Sequence, residues 1–492
     1  MRELQMSFIT SPSTKRWMQI LTIIEREQVF KVGILSERLA ISQRTLVKDL
    51  RLIKEHFGEC IELVSGNSGF HFEERNRVLF KEKKEQLLNQ EVLFEIIGNI
   101  FYGEVVDLNE LAYRYNYAET TLRRFIARVQ PALKEYGLSL SFTPVTLVGD
   151  EASIRKFFFD FYYVGEPTPY TIRPPEGLHH VILKGLSDKL GKYEVGTGLT
   201  ISAFYSLLYI TIVRAQKEHY VSIPDWAKEL VYQENDFKLL EILKEVIFKE
   251  YGVSLPKEEL AWLHYMIICT RTINQYDREK TFLARFNFWP EVKPIVKAYF
   301  ADAEFKGWDQ SLLEDYLTSF LVSRKLNEVI CPSLNKRQAE EVASIKTYHR
   351  ESYYKNKPFL EKYKEELAFA TEFMEDIAIS FTTVSDLLRD YYQPKKNILF
   401  LIEGDSMVVQ MIRLQAIRLF ANKYQVIFLS LHELTEERLK ADQKVLIVTN
   451  YRPYILDYGL TDDYILLSSI PTKKDWERVI CRLYPQTKEC PL

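Results

Sequence analysis

Ser42-Gln43-Arg44-Thr45-Leu46-Val47-Lys48-Asp49-Leu50-Arg51-Leu52-Ile53-Lys54 divides by side when wound as a helix. Leu46, Leu50 and Ile53 then share an inner face, Gln43, Arg44 and Lys48 face outward, and Thr45 lies near the start. Ser42 suits the N-cap, where its hydroxyl accepts from an orphan amide of the first turn. Arg44, Lys48, Arg51 and Lys54 stand against Asp49 alone, a local positive surplus in a chain of net charge −3. Such a helix suits the major groove of a duplex, where its N-terminal residues approach base edges while Arg and Lys hold phosphates. Arg44 carries the fork for guanine and Gln43 the amide for adenine.

The flanks complete a module. Thr14 to Gln28 carries a helical stripe of Trp17, Ile20, Leu21 and Ile24, and Ile34 to Ala40 reads as a short helix with Leu35 and Leu39 on one side. Downstream, Ile61-Glu62-Leu63-Val64 and Phe70-His71-Phe72 flank Ser65-Gly66-Asn67-Ser68-Gly69, a strand, glycine turn and strand that predict a wing. Asn67 and Ser68 at its tip join Ser42, Gln43, Arg44, Thr45 and Lys48 as candidate DNA contacts.

A shift of 76 residues lays a second copy over the first, with Leu35 on Leu111, Thr45-Leu46 on Thr121-Leu122 and Leu50 on Ile126. Its recognition-like helix, Glu119 to Gln130, turns Arg123, Arg124 and Arg128 outward, with Thr120 and Thr121 at the start. Pro131 marks a kink or restart there, and Leu138 to Phe142 with Val145 to Gly149 offers a second wing. Two such modules in tandem could track adjacent grooves.

Ser36-Glu37-Arg38-Leu39-Ala40-Ile41-Ser42-Gln43-Arg44-Thr45-Leu46 and Leu147-Val148-Gly149-Asp150-Glu151-Ala152-Ser153-Ile154-Arg155, followed by Phe157-Phe158-Phe159, resemble the Mga/AtxA family of virulence and global regulators of Gram-positive bacteria. The resemblance covers the whole chain, most specifically its N-terminal third. It implies a multidomain, mainly α fold: tandem winged helix-turn-helix modules, two all-α phosphotransferase-system regulatory domains (PRD-like bundles) and a C-terminal α/β parallel-sheet domain like a sugar-transport IIB subunit. The expected partition is 1–75, 76–165, 166–288, 289–392 and 393–492. It further implies a transcriptional regulator of double-stranded DNA, a homodimer, and phosphocarrier proteins as partners that phosphorylate a regulatory histidine.

The middle of the chain fits bundles. Pro167, Pro169, Pro174 and Pro175 break the pattern, and helical stripes follow in Leu199 to Arg214, Phe237 to Phe248, Lys257 to Thr270, Glu291 to Phe300, Leu312 to Leu326, Arg337 to Ile345 and Leu360 to Ser380. Phe288-Trp289-Pro290 is the natural split. Histidines able to take a phosphoryl group are His179, His180, His219, His264 and His349, with His264, His219 and His349 the leading candidates; Met266 competes with His264 for the aligned position. The 30 Tyr and 30 Phe fall mostly on these stripes and belong to cores rather than to base stacking.

After Gln393-Pro394-Lys395-Lys396, the apolar run Asn397 to Ile402 reads as a buried parallel strand, followed by a helix from Met407 to Ala421. Gln425 to Leu429, Lys444 to Thr449 and Tyr464 to Leu467 supply further strands, and Lys474 to Leu483 a closing helix. Where a IIB subunit carries its phosphocysteine, this chain has Glu403-Gly404-Asp405-Ser406, so the domain is expected to pair copies rather than carry phosphate.

Composition excludes other classes. Hydrophobic residues make up 47% and charged residues 27%, the balance of a folded soluble protein. No apolar run approaches the roughly 20 residues that span a bilayer, and Met1 to Met6 has no export-signal core, so a cytoplasmic protein without membrane partners is expected. Cys60, Cys269, Cys331, Cys481 and Cys490 show no C-x-x-C spacing, which argues against zinc. No phosphate loop, zinc helix or nucleophile elbow occurs, so neither enzyme activity nor a cofactor is expected. The competing readings are an RNA-binding antiterminator and, behind it, an enzyme built on the C-terminal domain; a recognition helix with a wing disfavours the former, because the deep groove of A-form RNA excludes side chains.

Overall fold

The computed structural model describes residues 1–66, 69–180, 182, 193–429, 433, 435, 444–458 and 464–484. Its backbone forms two compact units, Met1–Asp390 and Tyr391–Leu492.

The first unit opens with α1 (Glu3–Ser7), α2 (Pro12–Glu27), β1 (Val29–Phe30), α3 (Val32–Arg38), α4 (Gln43–Phe57), β2 (Ile61–Gly66) and β3 (Gly69–Glu74). Ser11 caps α2 ahead of Pro12 at its first position, and Gly58, at φ 57°, closes α4. The strands form an antiparallel sheet in the order β1-β3-β2, pairing Leu63 with Phe72 and Val29 with His71. Gly69 sits at φ 132°, and a Cβ there would lie 2.5 Å from the Phe30 carbonyl oxygen, so glycine alone permits this approach.

Next come α5 (Arg77–Gln86), α6 (Val92–Phe101), α7 (Leu108–Arg114), α8 (Glu119–Lys134), the short pair β4 (Ser139–Leu140) and β5 (Leu147–Val148), and α9 (Glu151–Phe159). The repeat is realised in the backbone, since α3 and α7 begin 76 residues apart, as do α4 and α8. Even the turn is copied. Ala40 and Asn116 both take φ near +50° (51° and 56°), and the bonds Ile41 N–H to Ser36 (3.0 Å) and Tyr117 N–H to Ala112 (2.9 Å) are equivalent. Pro131 does not restart the helix: it is exposed within α8, and buried Val129 and Leu133 on either side carry the helix through to Lys134.

The remainder of this unit is helical: α10 (Ile201–Ala215), α11 (Asp225–Gln233), α12 (Asn235–Tyr251), α13 (Lys257–Ile268), α14 (Tyr276–Phe286), α15 (Val292–Phe300), α16 (Gln310–Ile330), α17 (Ala339–Tyr348), α18 (Arg350–Lys362), α19 (Lys364–Leu367) and α20 (Met374–Tyr392). The stripe expected to run from Leu360 to Ser380 is broken. Ala368 turns left-handed at φ 49°, buried Leu367, Phe369 and Phe373 fold inward, and Lys325 and Glu328 of α16 bond the freed Leu367 carbonyl and Ala370 amide. The short helices α11 and α14 escaped the sequence reading. α14 bonds to the turn between α11 and α12 and to α16, through Arg285 to Glu234 at 2.7 Å and Tyr276 to Asp315 at 2.9 Å.

In the second unit β6 (Lys396–Leu401), α21 (Ser406–Phe420), β7 (Tyr424–Phe428), β8 (Lys444–Thr449), α22 (Pro453–Asp457), β9 (Tyr464–Leu466) and α23 (Lys473–Leu483) build a parallel sheet ordered β7-β6-β8-β9. Ile398 and Phe400 of β6 pack on Ile412, Ala416 and Phe420 of α21 and on Trp476 of α23. No helix among the described residues is long and apolar enough to cross a membrane.

Candidate nucleic-acid interface

In the first module, the Ser42 hydroxyl accepts from the Thr45 amide at 3.1 Å and so caps α4. Leu46, Leu50, Ile53 and Phe57 are buried beneath the helix; Ser42, Gln43, Arg44 and Lys48 are exposed above it, and Thr45 is half-buried. Asp49 points inward at 2% exposure, bound by the Arg16 guanidinium and by Trp17 Nε1 at 3.2 Å. The one acid of the segment is thus neutralised by α2 and subtracts nothing from the outer face. Arg44 and Lys48 have no ion-pair partner among the described residues, whereas Lys54 bonds the Leu63 carbonyl at 3.0 Å and Arg51 lies 3.5 Å from Glu55. Asn67 and Ser68 lie outside the described residues.

In the second module Thr120, Arg123, Arg124 and Arg128 are exposed and Thr121 is half-buried. Their charges are less free. Arg123 pairs with Glu119 at 2.8 Å and lies over Phe142 at 4.4 Å, and Arg128 donates to the Thr10 carbonyl at 3.3 Å. Among the described residues Arg124 has no ion pair, and its guanidinium lies 6.0 Å from the Phe125 ring.

The N-terminal segment, unremarked in the sequence, couples the two modules. Phe8 is fully buried against Phe157 and Phe161; Gln5 Nε2 donates to the Phe161 and Glu166 carbonyls at 3.0 and 2.9 Å; Glu91 binds Thr10 through backbone and side chain. No local signal in the sequence marks it, because the partners of the buried Gln5 amide lie more than 150 residues on.

The second module is joined to α10 and α13 through α9. Asp150 caps α9 with a 2.8 Å bond to the Ala152 amide. Arg155, fully buried, binds Glu151 at 3.0 Å, Glu259 of α13 and the His219 carbonyl at 3.0 Å, while Arg214 of α10 holds Glu151 at 2.7 Å. Burial and Asp160 raise the Tyr136 hydroxyl nearby well above its ordinary range.

Residues 76–162, which contain α5 through α9, match the family described as the Mga helix-turn-helix domain. The chain is 23% identical over 488 residues to the capsule synthesis positive regulator AcpB of Bacillus anthracis, covering 94% of this chain and 97% of that one. It is 21% identical over 265 residues to a putative trans-acting regulator of Streptococcus pneumoniae serotype 4, about half of each chain (52% and 52%). To the capsule synthesis positive regulator AcpA of Bacillus anthracis it is 24% identical over 257 residues, 51% of this chain and 53% of that one. The resemblance to the Mga/AtxA regulators holds. In Mga-type terms, the segment Gly149 to Arg155 does two jobs: it ends the second helix-turn-helix, and it supplies the ionic joint to the helices that follow.

The histidines differ sharply. His264 is fully buried between Tyr193 and Phe237, its Nε2 has no partner among the described residues, and burial pushes its pKa down to about 3. In this arrangement a phosphoryl donor has no access to it. His219 is exposed at the end of α10. His349 is exposed between α17 and α18, its Nδ1 2.7 Å from Asp386. No group of three or more His, Cys, Asp or Glu among the described residues could hold a metal.

Proposed function

We propose that this protein is a cytoplasmic transcriptional regulator that binds promoter DNA through α4. The observation that carries the reading is the exposed pair Arg44 and Lys48, without ion-pair partners among the described residues, on a capped helix whose Asp49 is neutralised from beneath. In the proposed pose Ser42, Gln43, Arg44 and Thr45 approach base edges, and Lys48 takes a phosphate. The hairpin β2–β3 serves as the wing, with Asn67 and Ser68 at its tip. Thr120, Thr121, Arg123, Arg124 and Arg128 of the second module follow an adjacent groove. The names of the relatives, all regulators, support the same role.

The finer parts of the reading follow. Residues 166–288 and 289–392 act as PRD-like domains, and phosphocarrier proteins of the sugar phosphotransferase system modify them. His349 is the preferred acceptor of the three, because a bond from Nδ1–H to Asp386 leaves Nε2 free as nucleophile. Residues 393–492 act as a IIB-like pairing domain. On α21, Met407, Met411, Leu414 and Ile417 form an exposed apolar stripe, 71%, 64%, 51% and 46% accessible, which a second copy would cover.

The test compares gel shifts of the full chain on promoter duplex and on hairpin RNA, with an Arg44→Ala/Lys48→Ala double variant alongside. Duplex binding that the double variant loses supports the reading. Preference for the hairpin would transfer it to an antiterminator. Sedimentation showing only monomer at DNA-binding concentrations would remove the dimer.

A further inference from the structure

The first unit contains a cavity of about 450 Å³ at the seam of its two bundles, where α9, α10, α13, α16 and α20 meet. Leu207, Trp262 and Phe320 supply apolar wall, and Lys156, Arg271, Arg324 and Arg337 also line it. No Asp or Glu lines it among the described residues. The volume is that of a small-molecule site, and mixed apolar and convergent polar walls are the usual lining of one.

Three of the four cations are balanced from outside the cavity. Lys156 pairs with Asp160 at 2.7 Å, Arg271 with Glu279 at 2.7 Å and Arg337 with Glu341 at 3.3 Å. Arg324 has no carboxylate among the described residues. It donates to the Cys269 carbonyl at 2.8 Å and to Ser323 at 3.3 Å. Cys269 ends α13, and a helix C-terminus offers at most about half a negative charge. Burial, and then the neighbouring Arg337, push the Arg324 pKa down to about 10. Beside it, the buried Trp262 Nε1 has no hydrogen-bond partner among the described residues. A half-buried cation without a carboxylate and an unanswered buried N–H donor are costly unless an acceptor is supplied.

We propose that this cavity binds a small organic anion, its phosphate or carboxylate head on Arg324 and its apolar body against Trp262 and Phe320. The charge that the protein leaves uncompensated at Arg324 is then met by the ligand, with Trp262 Nε1 supplying a further hydrogen bond. Because Lys156 and Phe159 of α9 also line the space, the occupant would touch the helix that leaves the second helix-turn-helix module. The site stands on the lining chemistry and holds whether or not the chain binds DNA.

The probes are phenyl phosphate, benzoate and phenol, titrated calorimetrically into the full-length protein without DNA. One or both anions should bind at one per chain and phenol at least about tenfold more weakly; whichever anion binds tighter identifies the head group. Arg324→Gln should weaken the anions by about tenfold or more while leaving phenol unchanged, and Arg324→Lys should recover part of the loss. Arg324→Gln should also unfold at a temperature no lower than the parent, since it removes a half-buried charge that no carboxylate among the described residues meets. Failure of both anions to bind, equal binding of phenol, or anion binding unchanged in Arg324→Gln would overturn the proposal. If Arg324→Gln does not fold, Arg324→Lys decides: affinity for the anions identical to the parent's, or no binding by the parent, refutes the site.

Discussion

The two helix-turn-helix modules share the backbone of their helix pairs, α3–α4 and α7–α8, and differ in what they do with their charges. α4 has a side-chain cap at Ser42; α8 begins at Ala118, whose φ and ψ (−67°, 142°) nearly equal those of Ser42 (−68°, 146°) but which has no hydroxyl to offer. α4 leaves Arg44 and Lys48 unpaired, whereas α8 spends Arg123 on Glu119 and Arg128 on the Thr10 carbonyl. The second module compensates elsewhere, through the buried Arg155 network that binds it to α10 and α13. One copy of the repeat is dressed for a polyanion, and the other for its own protein. Duplication fixes the chain path; the divergence of a few surface residues then separates the roles.

The strongest way to break this contrast is Arg155→Ala. The change strands Glu259, fully buried and otherwise bonded to the Val221 amide, and should lower the unfolding free energy by about 3–5 kcal/mol in urea titrations. A loss under about 1 kcal/mol would mean the joint is not a buried network at all. A milder lever acts on the same support. The unfolded chain protonates His264 below its ordinary 6.5, and the folded chain refuses that proton down to about 3. The stability that this neutral ring contributes is therefore complete above 6.5 and falls with pH, by about 1.4 kcal/mol per unit. Denaturation at about pH 7.5 and about pH 5.5 should show that loss in the parent and not in His264→Leu. Identical pH responses would clear the ring of any part in it.

What the sequence revealed follows from range. The stripe Leu46, Leu50, Ile53 and the Ser42 cap are local signals, read within one helix, and the structure has both. The repeat was legible because each apolar position recurs at a fixed offset. The ends of that legibility are equally physical. Asp49 counted against the charge of α4 because its partner, Arg16, lies 33 residues away on another helix. The break at Ala368 depends on Lys325 and Glu328, some forty residues upstream, capturing the freed backbone. Gln5 and Phe8 find their partners more than 140 residues on, so nothing near them in the chain announces a structural segment. His264 looked like an acceptor on a helix, and only packing from Tyr193 and Phe237 encloses it. The Arg324 cavity is assembled from five helices and has no local pattern.

Exchanging the caps sharpens the contrast at smaller cost. Ser42→Ala should destabilise by about 1 kcal/mol, and Ala118→Ser should stabilise by up to about the same amount, measured by thermal unfolding of the full chain. No gain at Ala118 would indicate that the N-terminal amides of α8 are already satisfied.

The smallest effect is the one closest to function. If Lys48 is free to displace a counter-ion from the duplex, Lys48→Ala should flatten the slope of log affinity against log salt by about one. That is about a three- to fourfold change in relative affinity across a fourfold range of salt. Arg123 must first leave Glu119 at 2.8 Å and Phe142 at 4.4 Å, and the carboxylate so exposed repels the phosphate that Arg123 would gain. Arg123→Ala should therefore leave the slope nearly unchanged, while Glu119→Gln should steepen it. Equal slopes for Lys48→Ala and Arg123→Ala would mean that the ion pair within α8 dissolves at the duplex surface. The asymmetry between the modules would then belong to the free protein alone, and both recognition helices would share the electrostatic work of binding.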